Sequence, residues 1–201
     1  MSEHYFSDTP AGPERRRTIA TRLWGEEVEL LSADGVFSGD RLDLGTSVLL
    51  RESPVPEGSP RILDLGCGYG PIAMALALSC PGATVDAVDV NDRALALCRD
   101  NAAALGVGDR VRALRPEQVA PDSRYDEIWS NPPIRIGKEA LHELLQTWLA
   151  RLAPGGVARL VVGRNLGADS LQRWLVDQGL WCDRLASAKG FRVFTVGRSS
   201  P

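Results

Sequence analysis

From residue 61 onward, short apolar runs alternate with longer segments whose apolar residues recur every three or four positions, a pattern that predicts a parallel sheet with crossover helices. Arg61 to Leu65 reads as a strand, Pro71 to Ser79 as an apolar helix and Thr84 to Val90 as a second strand. Asp92 is placed to cap the next helix, whose Ala94, Leu95, Cys98, Ala102 and Leu105 share one face before Gly106 ends it. Short strands are expected at Val111 to Leu114 and Asp126 to Ser130. Lys138 to Leu152 is the clearest helix, with Leu141, Leu144, Leu145, Trp148, Leu149 and Leu152 in one stripe closed by Pro154-Gly155-Gly156. Val157 to Val162 reads as a buried strand, and Asp169 with Gln172 forms a capping-box pattern for a helix to Gln178. The strands Trp181 to Ala188 and Arg192 to Gly197 are joined by Lys189-Gly190, short enough for a hairpin, so the sheet is expected to end antiparallel on a mostly parallel body.

Before this body, three prolines and a glycine in residues 52–60 forbid regular structure. They separate an N-terminal extension, residues 1–53, from a catalytic domain, residues 54–201; the extension is expected to pack on that domain and serve as a lid. With 201 residues, 44% of them apolar, the chain can bury one substantial core. The net charge of -3 gives no general attraction for nucleic acid, so such binding would need a local patch. Cys67, Cys80, Cys98 and Cys182 are scattered without a Cys-x-x-Cys pair, and no metal is expected. Neither a membrane helix nor a signal pattern is apparent, which predicts a cytoplasmic protein.

Candidate chemistry begins at Asp64-Leu65-Gly66-Cys67-Gly68-Tyr69-Gly70-Pro71, where the first strand gives way to the first helix. Open parallel sheets bind ligands beyond the carboxyl ends of their strands. Glycines 66, 68 and 70 let a cofactor approach the backbone, and Asp89, 21 residues after Gly68, is spaced to accept from ribose hydroxyls. Both a dinucleotide and S-adenosylmethionine carry that ribose. Pro71 removes one of the N–H donors a pyrophosphate needs, so a cofactor without phosphates fits better.

After the fourth strand comes Asn131-Pro132-Pro133-Ile134, at another carboxyl end. Two prolines fix the backbone twice, so the Asn131 amide oxygen and the Pro132 carbonyl become stiff acceptors for both hydrogens of a planar NH2 group. Asn131 and Pro132 are therefore the expected catalytic pair for displacement at a methyl group, helped by positioning rather than by a strong base.

The glycine loop, Asp89-Val90-Asn91 and Asn131-Pro132-Pro133-Ile134 together resemble the class I S-adenosylmethionine-dependent methyltransferases with an Asn-Pro-Pro motif. Gly35-Val36-Phe37-Ser38, Leu42-Asp43-Leu44-Gly45-Thr46 and Leu49-Leu50 narrow the resemblance to the small-domain family that includes ribosomal small-subunit RNA guanine-N2 methyltransferases. It extends from His4-Tyr5-Phe6-Ser7 to Lys189-Gly190-Phe191-Arg192-Val193. The fold it implies is α/β and Rossmann-like, with a mostly parallel sheet of seven strands, an antiparallel C-terminal strand and helices on both faces. Asp64, Gly66, Cys67, Gly68, Gly70 and Thr46 would then surround the methionine and ribose, Asp89 and Val90 the ribose, and Glu117 the adenine, with Asn131 also against the cofactor. Larger bacterial relatives carry a second, degenerate domain, absent from this sequence.

Phe37, Pro133, Ile134, Arg135 and Lys138 are the expected substrate contacts, and Glu14-Arg15-Arg16-Arg17 with Arg22 is a second basic cluster able to meet phosphates. Ile134, in place of an aromatic residue, favours guanine N2 in ribosomal RNA as the acceptor. A protein glutamine or small amine is the alternative acceptor. A nicotinamide-dependent oxidoreductase or an inactive binding module on the same scaffold is the alternative of another class.

Overall fold

The computed structural model describes residues 15–38 and 40–198, with the side chain of Arg135 also outside the description. The resemblance at His4-Tyr5-Phe6-Ser7 and the Glu14 contact lie outside the described residues. An antiparallel hairpin, β1 (Arg16–Leu23) and β2 (Glu26–Ala33), precedes α1 (Leu44–Glu52). The body follows as β3 (Arg61–Leu65), α2 (Pro71–Ser79), β4 (Thr84–Val88), α3 (Asp92–Ala104), β5 (Val111–Leu114) and β6 (Tyr125–Ser130). It continues with α4 (Lys138–Leu149), β7 (Leu152–Gly163), α5 (Ala168–Asp177), β8 (Trp181–Ala188) and β9 (Phe191–Gly197).

The large sheet has seven strands in the order β5-β4-β3-β6-β7-β9-β8. The five strands from β5 to β7 are mutually parallel, and β9 runs antiparallel to both neighbours. The C-terminal strand β9 is the antiparallel one, as expected, and it lies between β7 and β8. Its hairpin turns at Lys189 and Gly190, both left-handed with φ of 47° and 82°, the geometry whose twist matches paired strands.

Helices cover both faces and bury two apolar clusters. One joins the N-terminal hairpin, α1, α2 and α3, through Leu30, Leu49, Ile72 and Leu95, while the other packs α4 and α5 on the sheet through Leu145 and Leu175. Residues 71 to 77 of α2 are all buried, as befits a helix apolar on every side. Polar clamps hold the hairpin in place. Asn101 accepts from Leu31 N at 2.7 Å and donates to Leu31 O and Tyr69 O, while Trp24 Nε1 donates to Leu50 O and its ring meets Trp129 edge-on. The described residues from Ile19 to Leu50 and the sheet thus share one buried cluster.

Two expected helix caps are absent. Asn91, not Asp92, caps α3, accepting from Arg93 N and Ala94 N; Asp92 sits in the first turn and pairs with Arg115. The capping box at α5 does not form, because Gly167 at φ 94° opens that helix. Asp169 instead pairs with Arg184 and Arg192, and Gln172 donates to Cys182 O. The strand expected to reach Val90 ends at Val88, and one further bond, from Asp89 N to Leu114 O at 3.3 Å, still ties the chain to β5.

Candidate active site

Along the carboxyl edge of the sheet runs a cleft of about 490 Å3. Its first wall is the glycine loop. Gly66, Gly68 and Gly70 have φ of 75°, 56° and 90°, the left-handed region that only glycine enters without cost. Gly70 is doubly constrained, since a Cβ there would lie 2.7 Å from Cys98 Sγ. The loop is fixed from three sides: Gly66 N and Cys67 N donate to Val88 O, Asp64 accepts from Ala73 N at 3.0 Å, and Asp89 accepts from Gly68 N at 2.9 Å.

Asp89 spends its other oxygen on Asn91 N at 2.9 Å, which leaves lone pairs facing the cleft. Burial raises its pKa, while backbone donors from Asn91, Gly68 and Val90 act in the opposite direction. Asp64 is fully buried, and burial lifts its pKa to about 8, opposed by the Ala73 N–H and reinforced by the Asp89 carboxylate. Its second oxygen has no partner.

The opposite wall is the Asn-Pro-Pro turn. Ser130 Oγ donates to Leu65 O at 2.7 Å, locking the end of β6 beside the end of β3. Asn131 Nδ2 then donates to Asp43 Oδ1 at 2.6 Å and to Thr46 Oγ1 at 3.1 Å. A carboxylate only accepts, so the amide nitrogen must face Asp43 and the amide oxygen is left as an acceptor for another group. Pro133, at φ -74° and ψ 75°, is the centre of an inverse γ-turn in which Ile134 N donates to Pro132 O at 2.8 Å. One lone pair of the Pro132 carbonyl is thereby occupied and the second remains.

The cleft brings together Gly66, Gly68, Asp89, Val90, Asn131, Pro132, Pro133, Ile134 and Phe37, all expected from the sequence. Thr46 and Cys67 line a smaller annex beside it. Asp64, Gly70 and Lys138 do not line either space, and Asp64 acts from beneath as a clamp on the loop. Beyond β5 Pro116 lines the cleft, while Glu117, the expected adenine contact, does not line it and is exposed and held by Arg115. The N-terminal basic cluster is largely paired: Arg16 with Asp100, Arg17 with Asp34 and Asp40, and Arg22 with Glu27.

Three residues of the site have no role assigned from the sequence. Asp43 caps α1 and anchors Asn131. Tyr69 lines the annex with a buried hydroxyl that has no partner. Phe191 closes the far end of the cleft. Each stands inside a stretch that carries the family resemblance, which marks its neighbourhood but not its role.

A family model described as the methyltransferase small domain matches residues 27–195. The chain belongs to the methyltransferase small domain family. This membership decides between methyl transfer and the nicotinamide reading, in favour of methyl transfer. YbxB of Bacillus subtilis is 34% identical over 173 residues, spanning 85% of this chain and 86% of YbxB. Ribosomal RNA small subunit methyltransferase C of Shewanella loihica is 36% identical over 144 residues, 70% of this chain and 41% of that protein. Its Pseudomonas aeruginosa counterpart is 35% identical over 180 residues, 86% of this chain and 52% of that protein. The 16S rRNA N2 methyltransferase RsmC of T. thermophilus, solved with AdoMet and guanosine, superposes with a TM-score of 0.77 at 25% identity, covering 94% of this chain and 52% of RsmC. The chain spans about half the length of these ribosomal RNA methyltransferases. Among the described residues no cluster of three or more His, Cys, Asp or Glu side chains could hold a metal, and no helix is long and apolar enough to cross a membrane.

Proposed function

We infer that this methyltransferase uses S-adenosylmethionine to methylate an exocyclic amine, guanine N2 in ribosomal RNA. The observation that carries the reading is the Asn131 amide, turned by Asp43 so that its oxygen faces away from its own anchors, one strand from a glycine loop. The cofactor is consistent with the residues present. Gly66 opens onto Pro133, whose Cδ would lie 4.0 Å from an added Cβ, so side chains on the loop would narrow the gap between the two walls. Asp89 is positioned for the ribose hydroxyls, and the orphaned Tyr69 hydroxyl offers a polar partner to the methionine end.

When bound, S-adenosylmethionine would supply an electrophilic methyl group, leaving as S-adenosylhomocysteine when its sulfur–methyl bond breaks, while the methylated amine would lose a proton to water. Asn131 Oδ1 and the free lone pair of the Pro132 carbonyl would accept the two amine hydrogens and hold the nitrogen lone pair in line. Holding both hydrogens in a fixed plane supplies orientation, the term that matters most when no strong base is at hand. Cys67 takes no nucleophilic part, since burial pushes its thiol well above the ordinary range.

The test is transfer of labelled methyl from S-adenosylmethionine to naked ribosomal RNA, assembled small subunits and a protein carrying an accessible glutamine. Label in RNA that digests to N2-methylguanosine is the expected result. Label confined to protein would replace the RNA reading with the glutamine one.

A further inference from the structure

Asn91 is 2% exposed, and both polar atoms of its side chain are engaged in opposite directions. Oδ1 accepts from Arg93 N at 3.0 Å and from Ala94 N at 3.2 Å, which is the cap of α3. Nδ2 donates to Gly35 O at 2.9 Å, 56 residues away in the chain. A cap needs only the oxygen, since aspartate and serine cap about as well as asparagine. The nitrogen therefore has a separate duty. The backbone N–H of Asn91 is also the group from which Asp89 Oδ1 accepts, so Asp89, the start of α3 and Gly35 meet at one residue.

The stretch that follows Gly35 borders the cofactor space. Residues 36–38 line the cleft together with Asp89 and Val90, and Phe37 and Ser38 also line the annex beside Tyr69. Val36 is buried, while Phe37 lies 47% exposed along the opening. This stretch is held against local preference: Ser38 has φ 54°, a conformation that a non-glycine residue keeps only where its surroundings impose it. Those surroundings act on both sides. Before the stretch, Asp34 O accepts from Arg93 Nη1 at 2.6 Å and Gly35 O from Asn91 Nδ2, both at the N-terminal end of α3. After it, Asp43 receives the Asn131 amide.

We propose that Asn91 is a positioning residue for the cofactor, which acts through the Gly35 carbonyl to set residues 36–38 against the bound nucleoside in register with Asp89. A wall already in place spares the ordering that binding would otherwise impose on a loose segment. The proposal rests on S-adenosylmethionine as cofactor and on the ribose role of Asp89, and is independent of the acceptor.

Two substitutions separate the tether from the cap. Asn91→Asp keeps a capping oxygen but turns a second acceptor toward the Gly35 carbonyl. Asn91→Ser also caps, adds no charge beside Asp89 and is too short to reach Gly35. The full chain is titrated calorimetrically with S-adenosylhomocysteine, and both variants are expected to bind about 10-fold more weakly than the wild type, the order of one lost hydrogen bond. In the ligand-free chain, the Val36 methyl resonances should move while those of Leu97, inside α3, hold. Phe37→Ala supplies the deciding comparison. If Asn91 acts through this stretch, Asn91→Ser costs little further affinity once Phe37 is alanine, whereas a general weakening of α3 would add in full. Wild-type affinity in both Asn91 variants, an unmoved Val36, or full additivity with Phe37→Ala overturns the proposal. The titration contains no acceptor, so that result leaves the RNA reading standing, and failure to label RNA leaves the role of Asn91 standing.

Discussion

Asp43 and Asn131 lie 88 residues apart in the chain, yet the carboxylate of one receives the amide nitrogen of the other at 2.6 Å. The same Asp43 oxygen accepts from Thr46 N at 3.0 Å, so a helix cap and an active-site anchor are one group. Gly45 makes this possible, because a Cβ there would lie 2.9 Å from the Asp43 oxygen.

These two duties can be separated by substitution. Serine caps a helix about as well as aspartate, but its shorter side chain cannot reach Asn131. Asp43→Ser is expected to keep its melting temperature and its affinity for S-adenosylhomocysteine while turnover falls about 10- to 100-fold, the order associated with a misplaced reacting group. Asp43→Asn retains an acceptor oxygen at full length and should recover part of the loss. Single-turnover kinetics beside thermal melts would check both, and unchanged turnover in Asp43→Ser would remove the anchor from the mechanism.

Asn131→Ala removes acceptance from the reacting amine without touching Asp89 or the glycine loop. Cofactor affinity should persist while turnover collapses by about 100-fold or more. Calorimetric titration with S-adenosylmethionine, set beside label transfer, tells the two apart.

Asp64 gives the fold a pH dependence. Its pKa rises on folding from an ordinary carboxylate value to about 8, so between these values the folded chain holds a proton that the unfolded chain releases. Its stabilising contribution is therefore complete in acid and is lost as pH climbs toward 8. Asp64→Asn lacks this titration, and the difference in melting temperature, variant minus wild type, should grow from pH 5 to pH 8. A flat difference across that range would show that the carboxyl ionises normally in the folded protein.

Asn101 ties the N-terminal hairpin to the glycine loop through Leu31 and Tyr69. Replacing it with leucine strands one buried and two half-buried backbone groups, and the expected loss is about 1–3 kcal/mol by urea denaturation. The same variant should weaken cofactor binding, since Tyr69 belongs to the loop.

Much of this molecule was legible because it is local. A strand followed by Gly66-Cys67-Gly68-Tyr69-Gly70, then Asp89, then Asn131-Pro132-Pro133, each written within a few residues, fixed both walls of the cleft. What escaped was what distance in sequence conceals. Asn91 and Asp92 are adjacent residues of similar capping power, and only the backbone decides that Asn91 holds the cap. Asp169 looked like part of a capping box but is drawn to Arg184 and Arg192 on the neighbouring strands. Asp43, within reach of the motifs, gave no sign of its partner in β6's turn, and Phe191 stands just outside the expected strand Arg192 to Gly197; the Lys189-Gly190 hairpin reveals that the strand runs backward, but not that its first residue reaches the cleft. Glu117 is the adenine contact that the resemblance implies, but Arg115 holds it outward and Pro116 lines the cleft in its place.

The reversed strand β9 also sets a timetable. Until residues 191 to 197 have been synthesised, β7 has no partner on its outer side and the cleft has no far wall. A nascent chain can already have completed its glycine loop and Asn-Pro-Pro turn, but it still lacks Phe191. The cleft is therefore not walled until the last strand threads between two others, and an unfinished chain carries an exposed strand edge that invites pairing with another copy.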